Sequence, residues 1–349
     1  MSRFLLSIFS CASLILSTTT NAQVFDSIRF HGFIDVYYGK DQSIWNEHSR
    51  PSFLYSHTST DHIALNAAVF ELKSYGKKVS THLALVEGTY ANKVTSAEPV
   101  GFGALYVANV SLALNKDNSL LLTAGIFPSH IGQENVIGLD NLNLTRSLAA
   151  ENSPYYESGV KLEKRSKNQK WNFTALALNG WQTMTLIPQD HSMSLGTSVQ
   201  FQPNEKFTIA SNTFYGEVPV ADSTLKRLFH NLQFNYSSNS WTVQGQWDVG
   251  LQNENLWHVG FIGLGKDLTD KLQLNARVEY IQDAQNSVMN SPTNEVFAGS
   301  AGMRWRISPQ TNFRAEYRNL NSFGPESFAF KNSNSKQIHG LTLSLAAQF

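Results

Sequence analysis

The chain has 349 residues, 42% of them hydrophobic and 15% charged, and its 27 basic residues balance 27 acidic ones. That balance leaves no electrostatic footprint for a nucleic-acid partner, and a single cysteine excludes a disulfide scaffold. Beyond the first residues no segment approaches the roughly 18 consecutive apolar residues of a membrane helix, which excludes a helical membrane protein.

At the N-terminus, Arg3 precedes an apolar run from Phe4 to Leu16, and Thr20 and Ala22 supply small residues before Gln23. This reads as a secretory signal peptide over 1–22, cleaved after Ala22, with an apolar run too short to span a membrane. Cys11 raises a lipoprotein signal, but apolar sequence continues past it to Leu16. Cleavage takes the 27 basic residues to 26 by removing Arg3, against 27 acidic ones, and leaves no thiol. The remainder, 23–349, is expected to be one exported domain.

Along that remainder, strand-like runs of about ten or more residues, the length a tilted strand needs to cross a bilayer, are separated by turn residues. The links alternate. Short ones include Tyr75 to Lys78, Asn115 to Ser119, Ser166 to Gln169, Gln202 to Lys206, Ser237 to Ser240, Lys266 to Lys271 and Ser308 to Thr311. Long ones include Gly39 to Thr60, Ala91 to Phe102, Phe127 to Gly159, Gly180 to His191, Gly216 to Thr224, Asp283 to Glu295 and Asn321 to Ser335, with a short exception near Asn253 to Asn255.

The third long link is rich in Ile, Leu and Tyr, unlike a disordered linker. It is expected to carry a short helix from Leu142 to Ala150, capped by Asn141 or Asn143 and ended at Ser153-Pro154.

Period two is plainest in the second half. Trp241, Val243, Gly245, Trp247, Val249 and Leu251 alternate with Thr242, Gln244, Gln246, Asp248 and Gly250. Later runs set Leu272, Leu274, Ala276, Val278 and Tyr280 against Gln273, Asn275, Arg277 and Glu279. They also set Phe297, Ala301, Met303 and Trp305 against Ser300, Arg304 and Arg306, and Phe313, Ala315 and Tyr317 against Arg314, Glu316 and Arg318. A soluble sandwich gives the same alternation. Sorting of links into short and long belongs to an antiparallel transmembrane barrel with tight periplasmic turns and longer outer loops. The fold expected is therefore all-β, a barrel of about 16 strands within a range of about 12 to 18. Tyr37, Tyr38, Tyr106, Trp171, Phe207, Trp257, Tyr280 and Trp305 lie near strand ends, where interfacial aromatic girdles form. Leu341, Leu343, Leu345, Ala347 and Phe349 alternate to the last residue, like the closing strand read by the barrel-insertion machinery, with Phe349 as the signal.

Several stretches together resemble the OmpL-like β-barrel porins of bacterial outer membranes. They are Phe30-His-Gly-Phe-Ile-Asp-Val-Tyr-Tyr38, Gly125-Ile-Phe-Pro128 with Ile131-Gly132, Leu139-Asp-Asn-Leu-Asn-Leu-Thr-Arg-Ser-Leu-Ala149, Glu151-Asn-Ser-Pro-Tyr-Tyr156 and Asn179-Gly-Trp-Gln182. The resemblance implies an outer-membrane barrel that conducts small solutes, and it supplies no catalytic residues.

Motifs for other chemistry do not hold together. Gly260-Phe-Ile-Gly-Leu-Gly-Lys-Asp267 approaches a P-loop but ends in Asp where a hydroxyl should hold magnesium, and no βαβ unit surrounds it. Ser74 to Lys77 and Ser333 to Lys336 match a Ser-x-x-Lys spacing in predicted turns. The 10 histidines are scattered, with no pair at metal-ligand spacing on one strand face. No catalytic residue, metal or other cofactor is expected.

In a barrel this wide side chains cannot fill the interior, so inward polar residues line water. Arg277, Arg304, Arg306, Arg314 and Arg318 would form a basic wall moderated by Glu279 and Glu316, or would pair with those two glutamates as ordinary lumen ladders; Asp248, Lys161 and Glu163 also point inward. The third outer loop is expected to fold inward around 129–153 and narrow the pore, with Glu134, Asp140, Arg146 and Glu151 facing the arginines; the competing arrangement is a cap over the mouth. The reading is a passive porin for small hydrophilic solutes. Its partners would be outer-membrane lipids, the insertion machinery and the solutes, with a homo-oligomer left open. A surface receptor or adhesin, and then a barrel hydrolase, are the alternatives. A gated, energy-coupled transporter is disfavoured because no plug domain precedes the first strand at Ser27.

Overall fold

The structure is a computed structural model that describes residues 25–42, 48–96, 98–99, 101–185, 193–220, 223–289, 293–324, 327–330 and 333–349. The expected signal peptide lies outside the described residues. So does part of the long link from Gly180 to His191.

Sixteen strands close into one antiparallel barrel. They are β1 (Ser27–Asp41), β2 (Ile63–Tyr75), β3 (Val79–Glu87), β4 (Leu105–Ala113), β5 (Leu120–Pro128), β6 (Tyr156–Arg165), β7 (Trp171–Leu178), β8 (Ser194–Asn204), β9 (Phe207–Val220), β10 (Ser223–Ser237), β11 (Trp241–Gln252), β12 (Asn255–Asp267), β13 (Leu272–Gln282), β14 (Glu295–Arg306), β15 (Thr311–Ser322) and β18 (Gln337–Gln348). β16 (Phe328–Ala329) and β17 (Asn334–Ser335) form a separate small hairpin in the last outer loop. Each strand pairs with its sequence neighbour, and β1 pairs with β18 to close the cylinder. Closure gives each of the sixteen strands a neighbour on both sides, which a backbone in hydrocarbon requires.

Alternation sorts the side chains as expected. Phe70, Leu232, Trp247, Val278, Trp305 and Leu345 stand exposed on the outer face, where lipid makes exposure of apolar surface favourable. Trp171 stacks with Phe173 and Phe201 near the short-turn rim, and the Lys266 ammonium lies 4.4 Å from the Trp241 ring centre. Three expected girdle residues are instead buried: Tyr37, Tyr106 and Trp257. Tyr37 takes a hydrogen bond from the Ser59 N–H at 2.8 Å. Trp257 covers Gly250, its register partner, where a Cβ would lie 2.2 Å from the indole.

The long link expected from Gly216 to Thr224 is also corrected, because β9 and β10 continue to Val220 and Ser223. β8 pairs with β9 only as far as Tyr215, so Pro219 sits on a segment paired on one side, where a missing N–H costs no ladder bond.

Candidate functional site: the loop inside the barrel

The third outer loop, 129–155, runs through the interior and is fastened to the wall by charges. Its expected helix is shorter and displaced. A 3-10 turn spans Gly138–Asp140, and an α-helix spans only Leu148–Glu151. The Ser147 hydroxyl caps that helix by accepting the Ala150 N–H at 3.1 Å.

Backbone accounting explains the difference. The carboxylate of Glu316 accepts the N–H groups of Leu144 and Thr145 at 2.8 and 3.2 Å, and the Thr145 hydroxyl as well. Glu279 accepts the Leu148 N–H at 2.6 Å. Arg277 donates to the carbonyls of Thr145 and Arg146 at 2.7 and 3.2 Å. The Thr145 and Leu148 N–H groups and the Thr145 and Arg146 carbonyls, which a helix over 142–150 would use in its own ladder, are spent on β13 and β15.

The same arginine sits among three carboxylates. Its guanidinium lies 2.9 Å from Glu279, 3.6 Å from Glu134 and 3.7 Å from Glu316, and Arg318 meets Glu279 at 2.9 Å. Arg314 donates to the Gly138 carbonyl at 2.6 Å and lies 3.6 Å from Asp35 of β1. Arg304 donates to the Asn141 carbonyl, while Arg306, nearer the short-turn rim, pairs with Asp267 at 3.0 Å. Asp248 is bound into an amide ladder with Gln246 and Asn231.

The basic wall thus exists in the expected register but does not face open water. Asp248, Arg277, Glu279, Arg314, Glu316 and Arg318 are none more than 8% exposed; Arg304 and Arg306 are half-buried. Buried charges persist only when paired and hydrogen-bonded, and the loop supplies those partners.

Of the four loop charges expected at the constriction, Asp140 alone is exposed. Glu134 accepts both the N–H and the hydroxyl of Ser147, at 2.8 and 2.7 Å, besides meeting Arg277. Arg146 is buried with its guanidinium 5.4 Å from the Tyr90 ring centre. Glu151 takes the Tyr55 N–H and the Tyr155 hydroxyl, both at 2.9 Å, and both donors of Ser56. Burial raises the Glu151 carboxyl above its ordinary range, against the lowering effect of those hydrogen bonds.

Glu151 thereby joins the third loop to the first, which the sequence reading did not place indoors. The first loop is pinned by Arg50, which pairs with Asp41 at 2.6 Å and donates to the His57 carbonyl and the Thr342 hydroxyl. His57 itself meets Asp35 at 3.0 Å. Val136, Ile137 and Leu139 pack with Phe33, Val69 and Val86, so part of the interior is an apolar core.

Water-accessible space lies on both sides of the loop. An outer cavity of about 450 Å³ is lined by Tyr55, Glu98, Trp181, Arg227 and Gln252, among others. Towards the short turns, one recess of about 290 Å³ is lined by Arg165, Lys170 and Gln200, and another of about 230 Å³ by Lys73, His82, Lys161 and Glu163. Arg227 went unnoticed in the sequence, although alternation along Arg227, Phe229 and Asn231 already put it indoors. Among the described residues no group of His, Cys, Asp and Glu has the arrangement of a metal site.

A closed sixteen-strand barrel, apolar outside, with an outer loop bound in its interior, defines the porin class of outer-membrane proteins. The chain belongs to the family described as Putative beta-barrel porin-2, OmpL-like, whose model matches residues 27–349. It is an outer-membrane porin. No curated protein matches the sequence at a significant level.

Solved structures share the fold at low identity. The outer membrane channel DcaP of Acinetobacter baumannii is 9% identical with a TM-score of 0.64, over 95% of this chain and 99% of that one. The anion-selective porin from Comamonas acidovorans is 9% identical with a TM-score of 0.61, over 93% and 99%. OmpF of Salmonella typhi is 8% identical with a TM-score of 0.60, over 92% and 97%.

Proposed function

We propose that small hydrophilic solutes diffuse passively past the third loop, which acts as the constriction, and that the barrel has no catalytic role. The observation that carries this reading is the fastening of residues 138–148 to β13, β14 and β15, with cavities above and below the loop. A cap over the mouth would not engage wall residues as deep as Arg277 and Arg314. Glu134, Arg146 and Glu151 serve chiefly to hold the loop's shape, and Asp140 is the loop charge in reach of a passing solute.

Below the loop the recesses carry Lys73, Lys161, Arg165 and Lys170 against Glu163, with Glu71 already held by Lys73 at 2.9 Å. That excess raises the local concentration of anions and gives a mild anion preference. Proteoliposomes containing the protein should swell in isosmotic arabinose, and a salt-gradient reversal potential should show chloride favoured over potassium. An absence of swelling with any small sugar, amino acid or organic acid would reject the pore in favour of a receptor or adhesin.

Phe349 is assigned the insertion signal. Its backbone exchanges hydrogen bonds with Gly32 at 2.8 and 2.9 Å, and its ring lies over that glycine at the closing seam. Phe349→Ala is expected to cut the yield of folded barrel severalfold, read as heat-modifiable migration of outer-membrane fractions. Wild-type yield would deny the residue that role.

A further inference from the structure

Arg227 of β10 is 5% exposed and lines the outer cavity. Its guanidinium lies 4.6 Å from the Trp181 ring centre and donates to the side-chain oxygen of Gln252, its register partner on β11. Among the described residues no carboxylate pairs with it. Asp283, the acid near enough to act on it electrostatically, makes no ion pair with it and accepts the N–H groups of Ser287, Val288 and Met289 at 2.7 to 3.0 Å. A buried guanidinium without a counter-charge is costly, and every other buried arginine described above except Arg146 has a carboxylate or a backbone carbonyl to offset that cost. A guanidinium with no ion-pair partner among the described residues, in a cavity of this size, is what an anionic ligand group would complete.

The rest of the lining limits that ligand. Glu98 lines the cavity and accepts the Tyr156 hydroxyl at 2.7 Å and the Met184 N–H at 2.9 Å through one of its two oxygens. Both oxygens of Glu151 are engaged. One guanidinium against two wall carboxylates disfavours a dianion, and the buried guanidinium disfavours a simple cation.

We propose that the outer cavity is a binding site for small zwitterionic amino acids, with the carboxylate on Arg227 beside Trp181 and the ammonium towards Glu98. This rests on the porin reading, for which it supplies the solute class, and it makes the cavity a loading station above the constriction.

The test uses the full-length barrel in nanodiscs, with L-glutamine, glutarate and n-butylamine as probes and saturation-transfer NMR as the readout. L-glutamine should bind saturably and about tenfold more tightly than either of the others, and Arg227→Gln should weaken it by about tenfold, the worth of one charge-assisted contact. Arg227→Glu should invert the order in favour of n-butylamine, a gain that a misfolded barrel cannot produce. Glutarate binding as tightly as L-glutamine, or unchanged L-glutamine binding by Arg227→Gln, would overturn the site. Swelling of proteoliposomes in arabinose without saturable L-glutamine binding would reject the site and keep the pore. L-glutamine binding without any swelling would keep the site and reject the pore.

Discussion

Deleting residues 138–150 should raise single-channel conductance severalfold and admit larger sugars in liposome swelling. The barrel's ladder runs from β1 through β18 without using the loop, so closure survives the deletion. What changes is the interior. Arg277, Arg304 and Arg314 lose carbonyl partners at Thr145, Asn141 and Gly138, and Glu279 and Glu316 lose the N–H groups of 144–148. These groups then face water, which solvates them at little cost. Four arginines, counting Arg318, against two glutamates on the bared wall should also shift the reversal potential towards anions. Conductance and solute cutoff equal to wild type would exclude the loop from the constriction.

The barrel was legible because its wall has one rule: alternate, turn, repeat. That rule put Arg277, Glu279, Arg314 and Glu316 on the inward face, where they are buried, and loop counting brought 127–159 to the third outer position. It failed where a tertiary partner overrides local preference. Leu142 to Ala150 reads as a helix by propensity, but Glu316, Glu279 and Arg277 compete for the same backbone groups and win along most of it. Gly216 and Pro219 read as loop residues, yet a hairpin paired on one side tolerates both. Above all, alternation tells which face a side chain takes and nothing about what covers it. The pairing of Glu151 with the first loop, of His57 with Asp35, and the absence of an ion pair at Arg227 among the described residues depend on which loops enter the barrel. No local pattern encodes that.

Arg277→Met should unfasten the loop while the barrel stays closed. Met keeps the aliphatic stem without the guanidinium, so packing along the stem is kept and what goes is the charge with its hydrogen bonds. Glu134, Glu279 and Glu316 converge on this guanidinium; without it, three carboxylates remain in one buried site, with Arg318 still reaching only Glu279. Breaking a buried pair by removing one partner costs about 3–5 kcal/mol, and like charges left together add to it. The weakest response is for the loop to leave the wall, since its carbonyl attachments at Thr145 and Arg146 go with the same guanidinium. Planar-bilayer recordings should therefore show large open-channel noise and a raised mean conductance, and trypsin should cut at Arg146, which the wild-type fold buries. A quiet wild-type current from Arg277→Met at neutral pH would show that the loop is held by packing and its remaining hydrogen bonds, without need of the central charge.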